Sequence, residues 1–309
     1  MWSVIRWFSA LWMPMQGAIK RTLADEKGHC PGVRWGDPHR AENHNLAVAG
    51  KMSAVIWGTM PASSNFQNAI REAQSSALVG PNVVNKALPY VGGGMVLTAL
   101  GVLGGLSMQP MPPGQAGSPL FFPLFIAAFI GEIVLFFMAS SAANNANNGK
   151  ALPLLSAFSL LTGFTLSGIV GLAYQVAGMG SIATAVIATG LTFVIASVVG
   201  KKMSDSVGQA LSAVVGLGLI GLIIAMVVQF IGGFFAPEMF QQGTFELMIA
   251  GFGTVLFVGM AFVDFYTMPR TYRDDQYLAG ALGMYLTYIN LFVFILRLVI
   301  ALQGGGRRD

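Results

Sequence analysis

Charge is what this sequence has least of: 10% of its 309 residues are Asp, Glu, Lys or Arg, against 54% hydrophobic residues and a mean hydropathy of +0.66. A soluble domain of this size carries roughly a quarter of its residues as charges. Water is therefore excluded as the solvent for most of the chain, and lipid takes its place. Cysteine is nearly missing as well. Cys30 stands alone, which rules out an internal disulfide and leaves the fold to packing and hydrogen bonds. With the three histidines it forms the one group of ligand chemistry, His29, Cys30, His39 and His44 in GHCPGVRWGDPHRAENH. Their spacing fits no zinc pattern and the stretch reads as a polar Pro/Gly loop, so no metal and no cofactor are expected. Phosphate-binding loops, dinucleotide fingerprints and nucleophile elbows are also lacking, and an enzyme is not expected.

What the chain does have is glycine and long apolar runs. Its 39 glycines fall largely inside those runs, where small residues let helix backbones approach; the GGG at 92–94 is read as part of such a packing surface. Residues 1–83 hold most of the polar sequence, an amino-terminal arm, and residues 84–309 form the membrane part. There seven stretches near the roughly 20 residues a bilayer requires follow one another, at 84–108, 119–141, 151–177, 181–200, 207–234, 244–268 and 277–303. The expected fold is all-α, a polytopic membrane bundle of about seven helices. Between the third and fourth stretches only Gly178–Gly180 is available as a turn, and a merged or broken helix there would change the count.

Lys and Arg accumulate on cytoplasmic or matrix-side loops. The amino-terminal region carries Lys51, Arg71 and Lys86, and Lys150, Lys201 with Lys202, and Arg270 with Arg273 lie in the second, fourth and sixth connections; the first, third and fifth have none. This places the amino terminus inside and the carboxyl terminus outside, with Arg307 and Arg308 against the rule. The modest net charge of +4, carried mostly outside the apolar runs, suits lipid head groups and not nucleic acid. The first stretch, MWSVIRWFSALWMPMQGAIKRTLA, is basic, and Trp2, Trp7 and Trp12 are residues that favour head-group depth. It reads as an interfacial anchor helix; a mitochondrial import sequence would share these features.

Four ionisable groups fall within the stretches, Glu132, Glu246, Asp264 and Arg297, and each must face protein or water, or find a partner. Glu246 opens the sixth stretch and Arg297 lies about two turns from the end of the seventh, within reach of one another as a structural ion pair. Asp264, in AFVDFYTMPR, and Glu132, near the middle of the second stretch, have no such cation and are candidates for proton gating. Thr287, Asn290 and Arg297 share one face of the seventh stretch with Phe294. That polar stripe must turn inward, which makes the last helix a central one, lining an ion path or bonding its neighbours.

The carboxyl-terminal quarter, AFVDFYTMPRTYRDDQYLAGALGMYLTYINLFVFILRLV, resembles the Bax inhibitor-1, or transmembrane Bax inhibitor motif, family. MYLTYINLFVFILRL carries most of the resemblance, and LLSAFSLLTGFTLSGIV at 154–170 is similar to the family's third span. The closing LQGGGRRD resembles the tail of the mitochondrial, growth-hormone-inducible transmembrane branch. The resemblance implies seven spans and a pair of aspartates on the last two helices that sense pH in a calcium leak. Asp264 matches the first of the pair, and the second falls at Thr287, which cannot ionise. Two functions are therefore expected. The first is an accessory subunit of a larger membrane complex, of respiratory or ATP-synthesising type, held to protein partners through its amino-terminal arm. The alternative is a pH-sensitive Ca2+/H+ leak or exchange protein using Asp264, Glu132, Thr287 and Asn290. The mitochondrial inner membrane is the expected site, with a bacterial inner membrane next.

Overall fold

The computed structural model describes residues 78–109, 118–235 and 244–305. Most of the amino-terminal arm, with Trp2, Trp7, Trp12 and the His/Cys stretch, lies outside the described residues, as do Arg307 and Arg308. In hydrocarbon an unpaired backbone N–H or C=O is costly, so each apolar run closes its hydrogen bonds within itself as a helix. The elements are α1 Val83–Leu106, α2 Phe121–Asn144, α3 Asn148–Val199, a short 3-10 turn Gly200–Lys202, α4 Asp205–Phe235, α5 Thr244–Thr271 and α6 Tyr277–Gly305. The Asn147 side chain accepts from the Lys150 N–H and caps α3. Asp205 and Glu246 lie in the first turns of α4 and α5, and Arg270 in the last turn of α5, each complementing the helix dipole.

Six helices are long and apolar enough to cross a membrane, where the sequence led us to expect seven stretches. The difference is α3, whose 52 residues would extend about 78 Å, more than twice the hydrocarbon thickness. At Gly178 its backbone leaves helical geometry, with φ 72 and ψ −179, and the helix folds into two limbs. Phe158 of the first limb packs on Tyr285, with ring centroids 5.8 Å apart, and Phe193 of the second packs on Tyr288 at 5.1 Å. In a straight helix those two phenylalanines would stand about 50 Å apart, yet their partners lie within one turn of α6. The Asn148 side chain donates to the Asp275 carbonyl and the Lys201 ammonium to Asn85 Oδ1, so both ends of α3 reach the same end of the bundle. Six helices, one of them broken at Gly178, thus make seven crossings, and the chain is a multi-pass integral membrane protein.

That shared end is the basic one. Lys86 pairs with Asp274, Gln276 donates to the Asn144 carbonyl, and Arg270 pairs with Asp205, tying the α2–α3, α3–α4 and α5–α6 connections to the start of α1 or to one another. α6 is the centre: most of its apolar stretch is buried, whereas little of α2 is, and it packs against α1, α2, α3 and α5. α4 lies at the edge and packs principally against α5. The closest helix contact joins α1 to the first limb of α3. A Cβ on Gly163 would fall 2.0 Å from the Thr98 carbonyl oxygen and one on Gly101 2.2 Å from that of Leu160, so only glycine allows the two backbones this approach.

Candidate functional site

The polar side chains inside the bundle fall into four groups. Towards the end away from the basic connections, Arg297 of α6 donates Nε and Nη2 to the two carboxylate oxygens of Glu246 on α5, both at 2.8 Å. Gln229 of α4 completes the cluster, accepting from Arg297 at 3.2 Å and donating to Glu246. The arginine also stands 5.4 Å from the centroid of the Phe294 ring. A bidentate pair of this kind satisfies both charges and fixes their geometry, and it joins three helices where the sequence suggested two. Gln229 was missed because a lone glutamine in an apolar run carries no periodic signal.

At the basic end, Arg270 donates to Asp205 Oδ1 through Nε at 3.2 Å and Nη2 at 3.0 Å. Tyr266 donates its hydroxyl to the same carboxylate oxygen at 3.2 Å, and the guanidinium lies 4.1 Å over the Tyr266 ring. Arg270, expected in the sixth connection, instead forms with Asp205 a clip between α4 and α5.

Asp264 lies on α5 about 10 Å from the basic end. Its Oδ2 is buried without a hydrogen-bond partner, and the Thr287 hydroxyl of α6 is placed to donate to the carboxyl. Asp264 and Thr287, matched by motif from the sequence, are thus brought together. Asn290 is buried and turns its Nδ2 back to the Leu286 carbonyl, 2.9 Å away, spending its donor on its own helix. Just beyond the end of α5 stands Tyr272, whose phenol is pushed up to about 12 by burial and, second, by the charge of Asp264.

Glu132 is held elsewhere. It is 3% exposed in the middle of α2, and its carboxyl meets Thr162 Oγ1 at 2.6 Å and Thr165 Oγ1 at 3.0 Å, both from the first limb of α3. On the far side of that limb Thr98 bonds the Tyr285 hydroxyl at 2.6 Å and donates to the Ser159 carbonyl at 3.1 Å. Asp264 and Glu132 therefore occupy two sites, one between α5 and α6 and one between α2 and α3. Thr162 and Thr165 carry i, i+3 spacing in LTGFT, a signal that only the position of Glu132 makes specific. Among the described residues no group of three His, Cys, Asp or Glu side chains could hold a metal ion.

Comparison with known proteins reaches the same region. The sequence pattern of the family described as "Inhibitor of apoptosis-promoting Bax1" matches residues 80–304. An uncharacterized membrane protein of Streptococcus pyogenes serotype M1 is 31% identical over 183 residues, covering 57% of this chain and 73% of that protein. An uncharacterized protein of Helicobacter pylori strain 26695 is 29% identical over 240 residues, covering 76% of this chain and 94% of that one. A third, from Borreliella burgdorferi, is 28% identical over 194 residues, covering 60% and 76%.

Proposed function

The chain belongs to the Bax inhibitor family, whose pattern covers residues 80–304, and from that premise we propose that it passes cations across the membrane through a route gated by the Asp264 carboxyl. The observation that carries this reading is the buried, unpartnered Oδ2 of Asp264, facing the central helix about 10 Å from the basic end. An ionised oxygen in a dry interior with nothing to bond is costly by several kcal/mol. A passing cation relieves that cost, and so does a proton. Cation and proton therefore compete for one group. Thr287 supplies a hydroxyl and no second charge, so the competition follows the titration of a single carboxyl and not of a coupled pair.

The accessory-subunit reading rests on the amino-terminal arm, most of which lies outside the described residues, and no contact among the described ones favours it. The bacterial source of the relatives supports a bacterial inner membrane. The mitochondrial placement rests on the short tail LQGGGRRD.

Cation flux into dye-loaded proteoliposomes tests the proposal. Wild-type flux is expected to rise with pH as protons leave Asp264. Asp264→Asn, which keeps the shape and removes the charge, is expected to lower flux by about tenfold or more and to flatten its pH dependence. A pH-dependent flux that survives in Asp264→Asn, or no flux at any pH from folded wild-type protein, would rule the reading out.

A further inference from the structure

The short connection between α5 and α6, residues 272–276, is tied to the ends of three other helices. On one side the Asp275 carbonyl accepts from Asn148 at the start of α3, and Gln276 donates to the Asn144 carbonyl at the end of α2. On the other side the connection meets the chain that leads into α1. There the Asp274 carboxylate accepts from the Asn82 N–H at 3.0 Å and from Asn82 Nδ2 at 3.2 Å. Lys86 Nζ stands 3.7 Å from the same carboxylate and donates to the Asp274 carbonyl at 3.4 Å.

The contact serves both elements. Asn82 is the residue before α1, and its own side chain caps nothing; a carboxylate is favoured at the start of a helix, and Asp274 supplies one from the connection. At the end of α5, Arg273 would continue the helix by donating to the Pro269 carbonyl, but its N–H goes to Gln276 Oε1. The Gly80 N–H takes its place on Pro269 at 3.0 Å. Gly80 is seated so closely that a Cβ there would fall 2.4 Å from the Tyr272 carbonyl oxygen.

Asp264 and Thr287 lie about 10 and 15 Å from the helix ends that this connection joins. A passage from that pair along the α5–α6 groove to the basic side has to pass the connection or the start of α1, which packs on both helices. Tyr272, in the connection, is near enough to Asp264 to feel its charge. The bonds of Asp274 to Asn82 and Lys86 are exposed, with the Lys86 and Asp274 side chains 49% and 32% accessible. Such bonds are weak in water, so the connection can leave α1 without disturbing the packed helices below it.

We propose that Asp274, Asn82 and Lys86 form a clasp that keeps the basic-end entrance to Asp264 closed, and that cations enter when the connection swings away from α1 on its attachments to α2 and α3. The proposal rests on the reading of Asp264 as the gate of a cation route and adds the part that controls access to it.

The test measures access and flux separately. In a Cys30→Ser background, Thr287→Cys places a thiol beside Asp264, and its rate of modification by 2-aminoethyl methanethiosulfonate, a small cation, is followed in lipid nanodiscs. Asp274→Asn is expected to speed modification about fivefold, the factor that loss of one exposed ion pair can supply. Asn82→Ala/Lys86→Met, which opens the clasp from the α1 side, should do the same. Arg273→Gln breaks the Arg273–Asp275 pair within the connection and is expected to leave the rate unchanged. With Thr287 intact, both clasp variants should raise cation flux severalfold. Unchanged modification in both clasp variants, or equal acceleration by Arg273→Gln, overturns the clasp and leaves the Asp264 route to its own test. Faster modification with no flux from any variant supports the clasp and rules out the route. Should Asp274→Asn fail to fold, Asn82→Ala/Lys86→Met decides alone.

Discussion

At the level of single residues, hydrocarbon keeps a charge only where the fold supplies a partner; the sequence named Arg297 for Glu246 and Thr287 for Asp264, but not the uncharged groups around the other charges. An ionisable side chain in an apolar run announces itself, because hydrocarbon tolerates it only with a partner or a function; Glu132, Glu246, Asp264 and Arg297 were visible for that reason. Thr162, Thr165 and Gln229 were not, since uncharged polar side chains in membrane helices bond their own backbone as readily as a neighbour. Tyr272 offers a way to watch Asp264 from outside the span. Burial and the nearby Asp264 carboxylate push its phenol up to about 12, above the ordinary tyrosine value of about 10. The folded state thus favours the neutral phenol, and the sign follows by linkage: the contribution to stability is complete below about pH 10 and is lost as pH rises towards 12. Thermal midpoints in detergent across that window should fall more steeply for wild type than for Tyr272→Phe. In Asp264→Asn the phenolate absorbance of Tyr272 should emerge at lower pH, since one of its two causes is gone. Identical absorbance titrations in wild type and Asp264→Asn would separate the two residues.

Among the elements, the helices were readable almost to their ends because each apolar run must satisfy its own backbone, and the expected stretches at 84–108 and 277–303 agree with α1 and α6 to within a few residues. The third and fourth were expected apart with Gly178–Gly180 as the turn, and the chain folds back there, at Gly178, with helix on either side. The break itself needs glycine. A φ of 72 with ψ near 180 is territory that a side chain enters only at about 1–3 kcal/mol. Among the described residues nothing beyond its own chain neighbours lies within 4 Å of where a Cβ on Gly178 would be, so the penalty there is one of backbone conformation. Gly178→Ala is expected to destabilise the fold by that amount in denaturant titrations of detergent-solubilised protein. Gly180→Ala, with equal space and helical backbone, is expected to be neutral or to stabilise by about 0.4–1 kcal/mol. Equal effects at the two positions would mean that the hairpin does not depend on the Gly178 conformation.

On the scale of the whole molecule, the bundle has a core and an appendage. α6 is surrounded, α1 and the first limb of α3 are locked by backbone contact, and α4 is held to the rest along α5 and by polar clips near its two ends. The Asp205–Arg270 clip is partly exposed at the basic end, with side chains 24% and 21% accessible; water and salt weaken such a pair. The Gln229–Glu246–Arg297 clip is the drier one, with Arg297 and Glu246 at 15% and 19%. Removing one member of such a pair strands the other charge and typically costs about 3–5 kcal/mol, whereas replacing both with apolar groups is often neutral. Arg297→Gln is therefore expected to lower stability by an amount of that order and to raise amide hydrogen exchange in the Gln229 half of α4. The double variant Glu246→Leu/Arg297→Met should recover most of the stability without restoring protection of α4, because Gln229 then loses its hydrogen bonds to Glu246 and Arg297. The contrast between those two readouts separates a clip that positions α4 from a pair that merely adds stability. If the double variant protects α4 as wild type does, apolar packing against α5 alone holds it, and α4 belongs to the core after all.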